Sequence, residues 1–270
     1  MLNLYSEQTI RAEERLPTEI AVVTGAGSGL GRALSIELAR RGVLVIGMGR
    51  RDQALEETGR FVVAGRFVPE IVDIRDDAAV TRAFADIARR FGDVTILINN
   101  AAVHVRRDVL QETYESFMDS VLVNLGGVVS CTNAALASMI RTGTGRIVNV
   151  GSFADLSPQP ASAAYSVSKG AARIFSQALV ADLSDRFPDI VISTWMPGIL
   201  ATDMGLKDGL DPAAAAAWGA ELALWRDRSL NGAIFEQDRE VLVWPSLKRR
   251  LLNKLLMRPA PRPRVLSRTA

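Results

Sequence analysis

The chain of 270 residues has very little of two residue types that often carry chemistry: it holds one cysteine, Cys131, and one histidine, His104. A single cysteine excludes a disulfide framework within the chain and is compatible with a reducing compartment. With no cluster of cysteines and histidines, the sequence predicts no metal site. Because Cys131 lies in an apolar helical stretch, we interpret it as a buried small residue rather than a nucleophile.

Long apolar runs are also missing. No run of 18 apolar residues occurs, so the sequence predicts no transmembrane helix. The first residues, MLNLYSEQTIRAEERL, carry charges where a signal peptide needs an apolar stretch. We therefore predict a cytoplasmic protein. Apolar residues make up 48% of the chain, which is a globular composition, and the length suits one large α/β domain.

Acidic residues are absent from the last part of the chain, residues 246–270. The eight basic residues of that segment are Lys248, Arg249, Arg250, Lys254, Arg258, Arg262, Arg264 and Arg268. The rest of the chain then has 24 basic against 30 acidic residues, so the net charge of +2 reflects the tail. The charge therefore gives no indication of nucleic-acid binding.

The tail itself allows three interpretations. Its stretch WPSLKRRLLNKLLMR places leucines on one helical side and basic residues elsewhere. As an amphipathic helix it would cap this subunit or a partner subunit, which is the interpretation we favour. It could instead contact an anionic membrane surface through residues 246–258. The last stretch, APRPRVLSRTA, resembles a frayed basic tail.

Strand-like and helix-like stretches alternate between residues 20 and 240. The strand-like stretches are IAVVT, VLVIGMGRR, RFVPEIVDI, VTILINNAA, RIVNVGS, DIVISTWMPG and NGAIFE. Helices are predicted between them, including a long one over roughly residues 114–141 and an alanine-rich one over 211–226. Pro69, in the third strand-like stretch, indicates an edge strand or a bulge.

This alternation implies right-handed crossovers and a doubly wound parallel sheet of about seven strands, of the Rossmann type, with helices on both faces. We predict one such domain over residues 20–245, between an N-terminal arm, 1–19, and a basic C-terminal extension, 246–270. Gly25, Asp73, Asn99, Ser152 and Pro197 each stand at the end of a predicted strand. Ligands of such sheets bind at the carboxyl ends of the strands, so we expect these residues to share one site.

A glycine-rich turn, TGAGSGLG (24–31), lies between the first predicted strand and the first predicted helix. Its spacing is G-x-x-x-G-x-G at Gly25, Gly29 and Gly31, and Leu30 stands where the more usual G-x-G-x-x-G pattern has its third glycine. Such a turn lets the backbone approach a pyrophosphate at a helix N-terminus. The sequence therefore predicts a dinucleotide site here.

Tyr165 and Lys169 are four residues apart near the start of a helix that begins at about Ser162. This spacing places both side chains on one face, one turn apart. A nearby ammonium favours the phenolate and is expected to lower the pKa of a tyrosine, which suits a phenol to acid–base chemistry. Ser152 ends the preceding strand, and its hydroxyl could polarise a carbonyl beside Tyr165.

Together these motifs resemble those of the short-chain dehydrogenase/reductase family. The shared motifs are TGAGSGLG (24–31), Asp73-Ile74, Asn99-Asn100-Ala101, Asn124, Ser152, Tyr165-x-x-x-Lys169, and Pro197-Gly198 with Thr202. Their order and spacing match the family over roughly residues 18–240. One departure is Ala102, which stands where the family usually has glycine, and we expect its methyl group to tighten the space near the cofactor.

The resemblance implies hydride transfer between a nicotinamide cofactor and a carbonyl or alcohol. Tyr165 would be the general acid or base, Lys169 would lower its pKa and bind the nicotinamide ribose, and Ser152 would bind the substrate oxygen. Asn124 would link Lys169 to water through a proton relay. The residues expected to bind the cofactor are Gly25, Ser28, Gly29, Leu30, Gly31, Arg50, Arg51, Asp73, Ile74, Asn100, Ala101, Tyr165, Lys169, Pro197, Gly198, Leu200 and Thr202.

The end of the second strand favours NADP(H) over NAD(H). A carboxylate there binds a ribose 2′-hydroxyl, whereas arginine suits a 2′-phosphate. The expected carboxylate position is Gly49, followed by Arg50 and Arg51. Asp52 is close enough to keep NAD(H) as the alternative.

The substrate is expected to be an uncharged, lipophilic carbonyl compound or secondary alcohol, because the loops after Ser152 and Pro197 are largely apolar and lack clustered arginines. A 3-oxoacyl thioester is the alternative. His104 could face the substrate, but we do not assign it a catalytic role. The resemblance also implies a homodimer or homotetramer. Two rival functions are a non-catalytic NADP(H)-binding sensor and a membrane-peripheral scaffold, which would leave residues 20–240 unexplained.

Overall fold

A computed structural model of the chain describes residues 19–242 and 262–266. Strands and helices alternate along it. The strands are β1 (Ile20–Thr24), β2 (Leu44–Gly49), β3 (Phe67–Ile71), β4 (Ile96–Asn99), β5 (Gly145–Val150), β6 (Ile190–Met196), β7 (Ile234–Glu236) and β8 (Arg239–Glu240). The helices are α1 (Gly29–Arg40), α2 (Asp52–Phe61), α3 (Asp77–Phe91), α4 (Tyr114–Val121), α5 (Gly127–Thr142), α6 (Ala163–Leu183) and α7 (Pro212–Leu224).

The described strands form one sheet in the order β3-β2-β1-β4-β5-β6-β7-β8. Neighbouring strands are parallel from β3 to β7, and only β7 and β8 are antiparallel. From β1 the described chain winds outward to β3 and then returns to place β4 beside β1. This confirms the predicted doubly wound sheet, and the reversal between β1 and β4 is where such a fold forms its ligand crevice.

Apolar side chains fill the space on both faces of the sheet. One buried cluster lies under α1 and α7 and includes Leu34, Trp195 and Trp218. The other lies under α3 and α5 and includes Phe84 and Met139. β1 and β6 are buried along their whole length, as expected for strands that are covered on both faces.

The edges of the sheet differ from the prediction in one detail. β3 is an edge strand, as Pro69 indicates, because proline lacks the N–H that an inner strand needs. The eighth strand was not predicted. It contains only Arg239 and Glu240, and so short a polar stretch has no apolar pattern that would mark it as a strand.

The predicted helix over residues 114–141 is interrupted. α4 and α5 are joined by a π-helical turn, Leu122–Gly126, so the helical path runs from Tyr114 to Thr142. By length and composition alone this stretch could cross a membrane. Half of its most apolar window is buried inside the fold, where α5 packs against α3, which is the arrangement of a core helix.

Residues 262–266 return to the sheet. Val265 forms an antiparallel bridge with Arg239, and the Leu266 side chain is buried in the core. Arg264 holds the segment in place through an ion pair with Glu240 at 2.6 Å and a hydrogen bond to the Ser229 hydroxyl at 2.7 Å. Residues 262–266 are therefore not the frayed tail that the sequence suggests. The predicted amphipathic helix and most of the N-terminal arm lie outside the described residues.

Candidate active site

The predicted site residues meet in one cleft of about 1350 Å³ at the carboxyl ends of the parallel strands. Of the residues predicted from the sequence, those that line the cleft are Gly25, Ser28, Gly29, Leu30, Gly31, Arg50, Arg51, Asp73, Ile74, Asn100, Ala101, Ser152, Tyr165, Lys169, Pro197, Gly198, Leu200 and Thr202. Two predicted residues do not line it: Asn124 lies behind the cleft wall, and Asn99 is buried at the end of β4, where its carboxamide donates to the Thr132 hydroxyl at 3.1 Å and to the Asn149 carboxamide oxygen at 2.8 Å.

The glycine turn joins β1 to α1 and depends on its glycines. Gly25 and Gly29 have φ angles of +70° and +50°, a region that side chains disfavour. At Gly31 a Cβ atom would lie 2.1 Å from the Gly25 carbonyl oxygen and 2.6 Å from the Asn100 Nδ2 atom. No other residue fits there, so the turn is closed tightly onto the end of β4.

The N-terminus of α1 opens into the cleft. Ser28 is its N-cap residue, but the Ser28 side chain makes no capping hydrogen bond. The first N–H groups of the helix thus have no side-chain acceptor from their own cap, and a helix N-terminus of this kind favours an anion. The Thr202 side chain lies only 3.1 Å from where a Gly29 Cβ atom would be, so it closes over the turn. These features fit the pyrophosphate of a dinucleotide.

A brace behind the turn was not predicted. Arg32 donates to the Gly27 carbonyl at 2.8 Å and to the Thr58 hydroxyl at 3.1 Å, and Thr58 donates to the Ala26 carbonyl at 2.9 Å. These contacts tie the turn to α2. The sequence gives no signal for the contacts with α2, because Arg32 and Thr58 are 26 positions apart and Thr58 and Ala26 are 32 positions apart.

Thr24 fixes the turn to the end of β4. Its hydroxyl oxygen accepts from the backbone N–H groups of Asn100 and Ala101, both at 3.0 Å. The Asn100 carboxamide donates to the Thr24 carbonyl at 2.9 Å. Asn100 lines the cleft, but this bond gives its side chain a structural task, and its contact with a cofactor stays a prediction.

The end of β2 carries two exposed arginines. Arg50 and Arg51 line the cleft beside Gly49, and neither takes part in an ion pair among the described residues. By contrast, the Asp73 carboxylate is engaged by Arg75 at 2.6 Å, and this hydrogen bond lowers the pKa of Asp73. The guanidinium groups of Arg50 and Arg51 are therefore available to an anionic ligand.

Tyr165 and Lys169 lie one turn apart on α6, as their spacing predicts. Ser162 is the N-cap residue of the helix, as expected. The Lys169 ammonium donates to the Val150 carbonyl at 2.8 Å and lies 6.0 Å from the centre of the Tyr165 ring. Ser152 lines the same cleft from the end of β5, close enough for its hydroxyl to lower the pKa of the Tyr165 phenol.

The acid–base properties of the pair correct one expectation. The sequence predicts that Lys169 lowers the pKa of Tyr165, but burial raises the pKa of the phenol, and the hydrogen bond with Ser152 opposes only part of this rise. Burial also lowers the pKa of Lys169 to about 8. The physical reason is that burial is the largest effect on the phenol, while the Lys169 ammonium donates to the Val150 carbonyl.

Asn124 lies in the π-helical turn and is fully buried. Its carboxamide accepts from the Val103 N–H at 2.8 Å, and donates to the Val103 carbonyl at 2.9 Å and to the Ser168 hydroxyl at 3.0 Å. These bonds join the loop after β4 to α6. They give Asn124 a positioning role, and its place in a proton relay with Lys169 stays a prediction.

His104 lies in the cleft and stacks on Tyr165. The two ring centres are 4.2 Å apart and the ring planes are inclined by 25°. The His104 Nε2 atom is 2.9 Å from the Ser162 hydroxyl oxygen. The sequence indicated that His104 could face the substrate, but it did not predict the contact with Tyr165, because the two residues lie in segments about 60 positions apart in the chain.

The cleft wall after β6 is built on Gly198. Its φ angle is +90°, and a Cβ atom would lie 2.9 Å from the Gln237 Nε2 atom. Gln237, in the turn between β7 and β8, also lines the cleft and was not predicted from the sequence. Leu200 pairs with Leu210 in an isolated bridge, which folds the segment after Pro197 back over the cleft.

A comparison with known families agrees with this geometry. The family model described as short chain dehydrogenase matches residues 19–211. The chain therefore belongs to the short-chain dehydrogenase family, whose members are oxidoreductases that bind a nicotinamide cofactor and act on small alcohols or ketones. The predicted family is thus confirmed.

Three curated relatives are similar to the chain. An NADP-dependent (R)-specific alcohol dehydrogenase of Lentilactobacillus kefiri is 31% identical over 71% of this chain and 77% of the relative. A 3-oxoacyl-[acyl-carrier-protein] reductase of Haemophilus influenzae is 30% identical over 69% and 76%. A dehydrogenase/reductase SDR family protein 7-like of Drosophila melanogaster is 30% identical over 77% of this chain, which spans 65% of that relative's length.

The fold has a close counterpart among solved structures. A short chain dehydrogenase from Bacillus anthracis superposes with a TM-score of 0.76 at 20% sequence identity. The superposition covers 82% of this chain and 94% of that chain. At this level of identity the likeness supports the fold alone.

Proposed function

We propose that this protein is an NADP(H)-dependent oxidoreductase that interconverts an uncharged, lipophilic carbonyl compound and its secondary alcohol. One observation carries the proposal: Ser152, Tyr165 and Lys169 line the same cleft as the glycine turn. A sensor that only binds a dinucleotide would need the turn but would have no use for the three polar side chains.

The chain's own residues divide the work at the reacting oxygen. The Ser152 hydroxyl hydrogen-bonds the substrate carbonyl oxygen and polarises it. Tyr165, whose pKa is raised by burial, donates a proton to that oxygen during reduction and takes it back during oxidation. The bound cofactor supplies or accepts the hydride at the carbonyl carbon.

Lys169 brings a positive charge to the cleft. Its ammonium is buried at the floor of the cleft, and with a pKa of about 8 it is mostly charged at pH 7. We expect the ammonium to bind the nicotinamide ribose.

The preference for NADP(H) rests on the end of β2. Gly49 stands where a carboxylate would bind a ribose 2′-hydroxyl, and Arg50 and Arg51 line the cleft next to it. A 2′-phosphate would be held by paired hydrogen bonds from a guanidinium. The same cofactor is named for the Lentilactobacillus kefiri relative.

The substrate class rests on the other half of the cleft. Its apolar lining includes Phe153, Ile199, Met204 and Leu206. One arginine, Arg106, is present there, which gives no clustered positive charge to bind a carboxylate or a phosphate. These surroundings favour an uncharged, apolar ketone over a charged substrate.

A 3-oxoacyl thioester is the second candidate substrate, because the Haemophilus influenzae relative is named as a reductase of that class. The two substrate classes differ in a measurable way. A thioester reductase should turn over 3-oxoacyl thioesters with a higher kcat/KM than simple ketones of the same chain length. An alcohol dehydrogenase should show the opposite order.

We also propose that the protein acts as a homo-oligomer in the cytoplasm. The outer side of α6 and the turn before it expose the apolar residues Phe153, Leu156, Val167 and Ile174. Exposed apolar groups of this extent on neighbouring turns favour contact with another subunit. Measurement of the native mass by light scattering tests this.

The test of the main proposal is a cofactor titration followed by a substrate screen. NADPH and NADH are titrated by fluorescence, and ketones, aldehydes and 3-oxoacyl thioesters are then offered with the cofactor that binds more tightly. Tyr165→Phe is the blank, because it keeps the ring but removes the proton. Turnover that persists in Tyr165→Phe contradicts the proposed chemistry, and tight binding without turnover on any substrate supports the sensor.

A further inference from the structure

The neutral imidazole of His104 is in direct contact with the group that the proposed function makes the proton donor. The ring centres of His104 and Tyr165 are 4.2 Å apart with an inclination of 25°, which is a stacked arrangement. Stacking at this distance leaves no room for water between the rings. One face of the Tyr165 ring is thus covered by His104 and by no other aromatic ring among the described residues.

Three contacts fix the loop that carries His104. Val103, its neighbour, is held through both its N–H and its carbonyl by Asn124. Arg107 donates its N–H to the Ala161 carbonyl at 2.9 Å. The third contact is the bond between His104 and Ser162 at 2.9 Å. The loop after β4 is therefore held on both sides of the histidine, by the π-helical turn on one side and by the segment before α6 on the other.

The segment that receives His104 is itself strained. Ala161 has a φ angle of +58°, an uncommon value for a residue with a side chain. Ser162 is the N-cap residue of α6, yet its hydroxyl does not cap the helix. The hydroxyl faces His104 and the Pro160 carbonyl instead. Strain and a diverted cap at one place are typical of a functional constraint.

The two contacts of the Ser162 hydroxyl favour one tautomer of His104. The Ser162 hydroxyl has a single proton, and the Pro160 carbonyl lies 3.3 Å away to accept it. The hydroxyl oxygen is then the acceptor for the His104 Nε2–H group. We therefore expect the neutral ring to carry its proton on Nε2.

We propose that His104 is a positioning residue for Tyr165: its neutral imidazole, fixed by Ser162, holds the phenol ring, shields one face from water and so sets the pH range over which Tyr165 releases its proton. The proposal rests on the proposed function of Tyr165. It does not make His104 catalytic, because the imidazole acts on the reaction only through the phenol.

The charges around the pair are consistent with a neutral imidazole. Burial lowers the pKa of His104 below its ordinary value, and Arg106 lowers it further. The charged groups that line the same cleft half are Lys169, Arg106, Asp203, Asp208 and Glu236. The pKa of Tyr165 is raised by burial, to which the stacked ring contributes. Removal of the ring should therefore make Tyr165 more acidic.

The first measurement observes the histidine directly. His104 is the only histidine in the chain, so a two-dimensional ¹H–¹⁵N spectrum of the imidazole contains one ring. We expect the Nε2–H tautomer at pH 7 and a titration midpoint below 6.5, and Ser162→Ala should move the tautomer toward an equal mixture. An Nδ1–H tautomer, or a ring that is charged at pH 7, would overturn the proposal.

The second measurement follows Tyr165 without any substrate. The chain has three tyrosines, and the ultraviolet difference between the protein and Tyr165→Phe isolates the phenolate signal of Tyr165. We expect His104→Ala to lower its midpoint by about half to one pH unit, because water then reaches the ring. His104→Phe keeps an aromatic face and should keep most of the wild-type midpoint. Val105→Ala, at a half-exposed neighbour outside the cleft, is the matched control.

The outcomes separate the possibilities. If His104→Ala leaves the midpoint of Tyr165 unchanged while the variant stays folded, or if His104→Phe shifts it as much as His104→Ala, the proposal is wrong. With a substrate in hand, the alkaline limb of kcat for carbonyl reduction should move with the midpoint, while the KM for the cofactor stays the same. Because the titration needs no turnover, it can succeed even if the proposed reaction fails, so the two failures are distinguishable.

Discussion

Replacement of Lys169 by methionine should remove activity and at the same time make the protein more stable. Lys169 is 5% exposed, and burial lowers its pKa from 10.5 to about 8. At about 1.4 kcal/mol per pKa unit, the charged side chain costs the folded state ~3 kcal/mol at neutral pH. Methionine has a similar length and carries no charge, so it avoids this cost.

Part of this increase in stability is lost again, because the substitution also removes a hydrogen bond. The ammonium donates to the Val150 carbonyl at 2.8 Å, and methionine leaves that carbonyl without this donor. An unsatisfied buried acceptor costs about 1–2 kcal/mol. We therefore expect Lys169→Met to raise the free energy of unfolding by about 1–2 kcal/mol at pH 7.

The pH dependence gives the sign of the effect independently. Below pH 8 the lysine is charged in both the folded and the unfolded state, so the full cost is present. Between pH 8 and 10.5 the unfolded state binds more protons than the folded state, so wild-type stability rises with pH relative to the variant. Above pH 10.5 both forms are neutral and the cost is gone.

The assay is urea unfolding of the wild type and Lys169→Met at pH 7, 9 and 10.5, with Lys207→Met as the control. Lys207 is exposed, so its replacement should have little effect at any of these pH values. The stability advantage of Lys169→Met should shrink across the series. An advantage that is absent at pH 7, or one that grows with pH, would show that burial does not strain the ammonium.

Three further predictions concern other parts of the chain. Gly49→Asp should shift the cofactor preference by about tenfold or more toward NADH, because the new carboxylate would oppose a 2′-phosphate and its Cβ atom would meet only ordinary contacts with Leu55. The ratio of kcat/KM for the two cofactors measures this shift, with Gly49→Ala as the control, and an unchanged ratio contradicts the prediction. Leu266→Ala should lower the free energy of unfolding by about 2–3 kcal/mol because Leu266 is buried in the core, whereas Val265→Ala at an exposed position should cost far less. Equal losses of stability in urea unfolding would mean that residues 262–266 do not pack against the core as described. The thiol of Cys131, whose pKa burial raises to about 12, should react with a thiol reagent only after unfolding, and fast labelling of the native protein at pH 8 would contradict this.

Much of the fold can be predicted from the sequence because its elements are marked by local patterns. The apolar strands alternate with helical periodicity, and Pro69 marks an edge. β8 could not be predicted, because Arg239 and Glu240 are held as a strand by pairing with β7 and not by their own composition. The same holds for residues 262–266, which are ordered by contacts of Arg264 and Leu266 with distant segments.

The site could be predicted as a set of residues but not as a set of interactions. Spacing places Tyr165 and Lys169 on one helical face, and strand ends bring Ser152 to them. The direction of the Tyr165 pKa shift could not be predicted, because it depends on burial, which no spacing reveals. Asn124 can likewise be picked out in the sequence by its place among the motifs, but its hydrogen bonds to Val103 could not be predicted, because they depend on the π-helical turn.

Two buried cations, Arg146 and Lys169, differ in how many of their hydrogen-bond donors have acceptors. Arg146 in β5 is fully buried, and its guanidinium donates to the carbonyls of Ile147, Val191 and Leu222 and to the Ser193 hydroxyl. These four acceptors occupy most of its five donors, and it lies outside the cleft, so it can serve only to hold α7 and β6 against β5.

Lys169 has three donors, and Val150 is its one hydrogen-bond acceptor among the described residues. The remaining donors belong to an atom that lines the cleft, where they can meet a ligand. A buried charge with unused donors is unfavourable for the folded protein by itself, and its cost falls when a ligand supplies the missing acceptors. This is the reason to expect that a bound dinucleotide stabilises the wild type more than it stabilises Lys169→Met, an outcome that thermal unfolding with and without the cofactor measures directly.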